Sequence, residues 1–146
     1  AQGNLNVAAV APTLFTANAN GRDVPAGILV RVRNGVQTTE AIAVYDPVNT
    51  RFNPLPIDFG PDSDTLVLVL FGSGIRQRSS LANVEAAFGP DPAVLAPVTF
   101  AGAAPGLAGV DQVNIGLPRT LIGRGLVDLN LKVDGKAANT VRVSFR

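Results

Sequence analysis

Apolar and polar residues alternate along most of this chain. In LVDLNLKV (126–133), Val127, Leu129, Leu131 and Val133 share one face, and Asp128, Asn130 and Lys132 take the other. Asp134-Gly135 follows, a dipeptide suited to the positive φ of a type I′ turn. NTVRVSFR (139–146) then repeats the alternation with Val141, Val143 and Phe145. The pattern predicts a C-terminal β-hairpin. A second hairpin is predicted where ILVRVR (28–33) meets Asn34-Gly35 and VQTTEAIAVY (36–45) returns.

Other stretches refine this picture. TLVLVLFG (65–72) is apolar from Leu66 to Phe71, which predicts a central strand covered on both faces. RFNPLPIDFG (51–60) carries two prolines that cannot donate to a ladder, so it reads as an edge strand or extended connection. VLAPVTFAG (94–102) reads as a strand with Pro97 at an edge or bulge. NVEAAFG (83–89) suits a strand or one helical turn, and PRTLIGRG (118–125) a loop with a short helical turn. GVDQVNIGLP (109–118) alternates Val113, Ile115 and Leu117 with Gln112 and Asn114. Asp111 falls on the apolar face, which predicts a carboxylate at the core margin accepting backbone N–H groups from the loop after Gly72. The expectation is one all-β domain over residues 1–146, a two-sheet sandwich of about seven to nine short antiparallel strands.

Composition narrows the chemistry. The 146 residues are 47% hydrophobic, enough for a real core, and the formal net charge is +1. Ten Arg and two Lys are spread along the chain without a basic block, so nucleic acid is not an expected partner. There is no His and no Cys, which removes the commonest general base, thiolate nucleophiles, disulfides and Cys-based zinc sites. One Tyr and no Trp leave little for a carbohydrate-stacking platform. No apolar run is long enough to span a membrane as a helix. The chain opens Ala1-Gln2-Gly3 and contains no Met, which reads as a processed product or fragment, and small residues there suit signal-peptidase cleavage. The expected location is extracellular.

VAPTLFTANANG (10–21), LVLVLFGSGIR (66–76), GVDQVNIGLP (109–118) and VDGKAANTVRVSF (133–145) occur in this order. Together they resemble the C-terminal domain family named for Solibacter, found in secreted proteins of Acidobacteria. The resemblance implies an exported, immunoglobulin-like β-sandwich, close in style to the structural and adhesive IPT/TIG-type domains. It implies no enzyme activity and no cofactor.

Asp58, Asp62 and Asp64 in DFGPDSD (58–64) offer oxygen ligands of the type Ca²⁺ takes, but without EF-hand spacing. The plainer reading is a solvated turn. A glycosidase pair would need two acids at a set separation, and nothing among nine Asp and two Glu selects one. Ser73 lies in GSG, not in G-x-S-x-G, and has no His to activate it. FGSGIR (71–76) lacks the lysine and helix of a phosphate loop and reads as a bend.

The N-terminal stretch NLNVAAVAPTLF (4–15) is either a strand of its own sandwich or an arm, within residues 1–15, exchanged with a neighbouring subunit. Head-to-tail exchange would build a filament. The sequence therefore favours a secreted structural subunit that self-associates into a homo-oligomer, filament or surface layer. The alternative is an adhesion module that binds carbohydrate or a surface protein. No catalytic, cofactor or metal residue is assigned.

Overall fold

The computed structural model describes residues 2–4, 6–90 and 92–146. The fold is an all-β, two-sheet antiparallel sandwich. Its strands are β1 (Thr13–Leu14), β2 (Gly27–Arg33), β3 (Val36–Ala41), β4 (Ala43–Asp46), β5 (Arg51–Pro54), β6 (Thr65–Ser73), β7 (Val84–Phe88), β8 (Val94–Ala96), β9 (Val98–Ala103), β10 (Asp111–Gly116), β11 (Gly125–Val133), β12 (Lys136–Ala137) and β13 (Val141–Phe145). Eight of these have five residues or more, namely β2, β3, β6, β7, β9, β10, β11 and β13, so the expected seven to nine are the long ones. Of the shorter segments, β4, β8 and β12 arise where a longer strand is cut by an inward-turning residue, a proline and a register slip respectively. Among the described residues, no helix is long and apolar enough to cross a membrane.

The larger sheet has six strands in the order β3-β2-β6-β10-β9, with β1 also paired to β6. β1 continues the line of β2 along the same side of β6, Leu14 opposite Gly72 and Gly27 opposite Leu70. The smaller sheet runs β12-β11-β7-β8, with β13 also on β11. β4 and β5 form a separate two-stranded ribbon. Both type I′ turns are present: Asn34 and Gly35 have φ of 50° and 76°, and so do Asp134 and Gly135. The C-terminal hairpin slips by one residue between its Val133–Lys136 and Leu129–Val141 pairings, which splits it into β12 and β13.

Three expectations change in detail. VQTTEAIAVY does not return as one strand, because Ile42 turns into the core at 4% exposure and sends the chain into the ribbon. Pro97 does more than mark an edge. It divides the predicted strand so that β8 pairs with β7 in one sheet and β9 pairs with β10 in the other. NVEAAFG resolves into strand β7, with a single 3₁₀ turn at Leu81–Asn83 before it.

The core lies between the sheets. Leu66, Leu68 and Leu70 of β6 meet Val127, Leu129 and Leu131 of β11 there, with Phe88 and Phe145 in edge-to-face contact at 5.5 Å. β6 is central, as its apolar run predicts. Val67, Val69 and Phe71 point to the outer side and stand outside the core cluster, yet Val69 is 6% exposed and the other two are half-buried.

Candidate functional site

The three aspartates of the 58–64 loop do not converge. Asp64 has a fully buried side chain, and its carboxylate accepts Nη1–H of Arg31 at 2.7 Å and Nε–H and Nη2–H of Arg33 at 2.8 and 2.7 Å. The Arg33 hydrogen bonds, opposed by burial and aided by Arg31, hold its carboxyl at about 2. Asp58 accepts the N–H of Gly60 at 2.8 Å and Nη2–H of Arg146 at 2.6 Å, which hold it below the usual carboxylate range. Asp62 is exposed, beside Arg119 at 3.0 Å. Each acid has its own arginine, and among the described residues no three His, Cys, Asp or Glu side chains are grouped to hold a metal ion. The solvated-turn reading fits Asp58 and Asp62 but not Asp64, which is a buried ion-pair partner.

Arg31 is the other half of that pair, and the sequence reading passed over it. It lies on the same face of β2 as the buried Leu29, at 8% exposure, and also bonds Glu40 and the carbonyls of Asp58 and Phe59. Its guanidinium is held above its ordinary value, chiefly by Glu40. The available signal was the alternation itself, since ILVRVR puts two arginines on the core side of a strand. An open groove beside this cluster is lined by Arg33, Glu40, Asp58 and Arg146. Its cations already face carboxylates, so it offers no net charge to an anion.

Asp111 is placed as the alternation predicts. It is 1% exposed, and its carboxylate accepts the backbone N–H of Ile75 at 2.7 Å and of Arg76 at 3.1 Å, and the Nε–H of Arg76. Burial pushes the carboxyl up, but these donors outweigh it and leave it below the usual range. Asp111 therefore pins the bend after β6. The glycines of GSG serve the same junction. A Cβ on Gly72 would lie 2.1 Å from the carbonyl oxygen of Thr13, and one on Gly74 would lie 2.0 Å from that of Ala11. Gly74 also has φ of +71°. The bend is bare of side chains so that the N-terminal strand can lie against it.

That N-terminal strand is tied to its own domain from Val10 onward. Ala11 N–H donates to Gly74 at 3.1 Å, and Lys136 Nζ donates to the Val10 carbonyl at 2.9 Å. Asn139 brackets Leu14, its Oδ1 accepting the Leu14 N–H at 2.8 Å and its Nδ2 donating to the Leu14 carbonyl at 3.0 Å. Residues 2–4 and 6–9 are in no strand and are exposed, with Val7 at 84%. The free residues of NLNVAAVAPTLF are thus Asn4 and 6–9, ahead of the tie at Val10. β3 forms one border of the larger sheet and has a strand partner on one side alone.

The ribbon carries two exposed aromatics. Tyr45 and Phe52 stack edge to face at 5.3 Å and are 48% and 37% exposed. Phe52 also lines a small cavity of about 190 Å³ with Asn18, Asp23 and Arg142. Comparison with known proteins returned no match to a family model, to a curated protein or to a solved structure.

Proposed function

We propose that this chain is a secreted structural protein, an immunoglobulin-like subunit of an extracellular assembly such as a filament or surface layer. The Solibacter-type resemblance supports the extracellular setting. The observation that carries the assembly is the exposure of residues 2–4 and 6–9, none of them charged, together with a sheet whose β3 border has hydrogen-bonding groups to spare. An extended arm laid on such a border gains ladder hydrogen bonds, and alternate side chains fill pockets. Repeated from copy to copy, the contact is heterologous and grows without closing. No cofactor and no reaction are part of this reading.

The test compares the full chain with one lacking residues 1–9, by size-exclusion chromatography with light scattering and by negative-stain imaging. The full chain is expected to form extended polymers, and the shortened one to lose them while keeping its thermal transition. Polymers of equal length from both would remove the arm as connector.

A second reading, an adhesion module for carbohydrate or a surface protein, is favoured by the Tyr45–Phe52 pair. It predicts that Tyr45→Ala abolishes binding on a glycan array without altering assembly.

A further inference from the structure

We propose that Asn34 is a site of spontaneous covalent modification, converting through a cyclic imide to aspartate and isoaspartate, while the fold shields the chain's other turn pairs of the same kind. This is independent of the assembly reading. Three short carbonyl-bearing side chains directly precede a glycine: Asn20-Gly21, Asn34-Gly35 and Asp134-Gly135. A glycine lacks the Cβ that would crowd its backbone nitrogen, so that nitrogen can approach the preceding side-chain carbonyl. The three pairs differ in what their reacting groups are already bonded to.

Asn34 and Gly35 form the exposed tip of the β2–β3 hairpin, with φ of 50° and 76°. A Cβ built on Gly35 would meet nothing within 4 Å. Among the described residues, neither the Asn34 side-chain amide nor the Gly35 N–H has a hydrogen-bond partner. Electrophile and nucleophile are therefore both unengaged.

Asn20-Gly21 is exposed too, so exposure alone does not separate the pairs. Here the groups are tied. The Asn20 Oδ1 accepts the Arg22 N–H at 3.0 Å, and its Nδ2 donates to Asp23 at 3.3 Å. The Gly21 N–H, the nucleophile in this pair, donates to Thr16 Oγ1 at 3.1 Å. At Asp134 both carboxylate oxygens accept from Ser79, its N–H at 2.9 Å and its Oγ–H at 2.6 Å. These donors favour the ionised carboxylate, which is a poor electrophile.

The chemistry at Asn34 needs water alone. The Gly35 nitrogen loses its proton to water or hydroxide and attacks Asn34 Cγ. The bond from nitrogen to Cγ forms, the bond from Cγ to Nδ2 breaks, and the amide leaves as ammonia after taking a proton from water. Water then opens the imide. Attack at the side-chain carbonyl leaves aspartate, and attack at the main-chain carbonyl leaves isoaspartate. Nothing is oxidised or reduced.

The two products differ in their effect on the hairpin. Aspartate fits, since Asp134 holds the equivalent turn position at the same φ of 50°. Isoaspartate routes the main chain through an extra carbon, which a two-residue type I′ turn cannot absorb without loosening the Arg33–Val36 pair. Either product brings a new carboxylate to the groove that Asn34 lines with Arg33, Glu40 and Arg146.

The experiment holds the full chain for weeks in warm neutral buffer, with a second sample in urea, and follows both by peptide mass spectrometry. In urea the two asparagines are expected to convert at similar rates, because each precedes glycine. In the folded chain Asn34 is expected to convert at least about tenfold faster than Asn20, whose hydrogen bonds must open first. Thr16→Val removes the acceptor of the Gly21 N–H and is expected to raise the Asn20 rate while leaving Asn34 as it was. The unchanged Asn34 rate also shows that this variant is folded. An Asn34 that stays intact in the folded chain while the urea sample converts, or equal folded-state rates at the two sites, would overturn the proposal. An Asn20 rate unmoved by Thr16→Val would overturn the shielding assigned to that turn.

Discussion

Asn139 holds Leu14 by both backbone groups, accepting its N–H and donating to its carbonyl across 125 positions of sequence. The same Nδ2 donates to the carbonyl of Gly21 at 2.8 Å. One amide thus fastens the N-terminal strand and the loop after it to the C-terminal hairpin. Asn139→Ala is expected to cost about 1–3 kcal/mol, since the part-buried groups of Leu14 lose their partner. Hydrogen exchange should accelerate most at residues 10–15, and a uniform change across the chain would contradict the assignment.

Gly74→Ala should act on the same strand from the other side. The added methyl needs the space taken by the Ala11 carbonyl and the backbone sits at φ of +71°, so the strand must move away. A loss of about 2–4 kcal/mol is expected by denaturant titration, in the range of strained-backbone and overpacking changes. Gly123→Ala, also at positive φ but with open space around it, should cost less.

Asp111→Ala removes the acceptor for two backbone N–H groups and the partner of Arg76. An expected loss of about 3 kcal/mol follows from leaving a buried donor and a charge unpaired. Asp111→Asn keeps an acceptor and should recover part of it. Equal stability of all three proteins in urea would show that the bend after β6 does not depend on this carboxylate.

Acid should destabilise the domain over a defined range. Asp64 is held at about 2 against an ordinary 3.8, and Asp46, Asp58, Asp111 and Asp134 are also lowered, each by donors to its carboxylate. The folded state therefore binds fewer protons than the unfolded state in this region. The stabilisation is full above the ordinary carboxyl value and is lost as pH falls from about 4 to about 2. Urea midpoints should be flat near neutrality, where the chain has no His to titrate, and should drop below that threshold. Asp64→Asn should flatten the acid limb.

Much of this was legible from periodicity. The hairpin turns, the central β6 and the inward Asp111 each follow from which residues share a face of a strand. The Arg31–Asp64 pair was also written in the alternation, but a charge on a core face announces itself only when its partner is known, and Asp64 lies 33 positions away. The role of Pro97 was not legible, because a proline ends a ladder without saying which sheet receives the chain beyond it. The outer row of β6 reads as buried strand from its run of Val and Phe, and Val69 is indeed 6% exposed, while Val67 and Phe71 are only half-buried.

The passage of one strand between two sheets at Pro97 has a thermodynamic consequence. β8 and β9 are covalently continuous, yet each is hydrogen-bonded to a different layer. Neither layer can come apart without dragging a member of the other with it. The two sheets should therefore melt in a single cooperative transition, with the slowest-exchanging amides drawn from both β10 and β7, the neighbours of that shared strand.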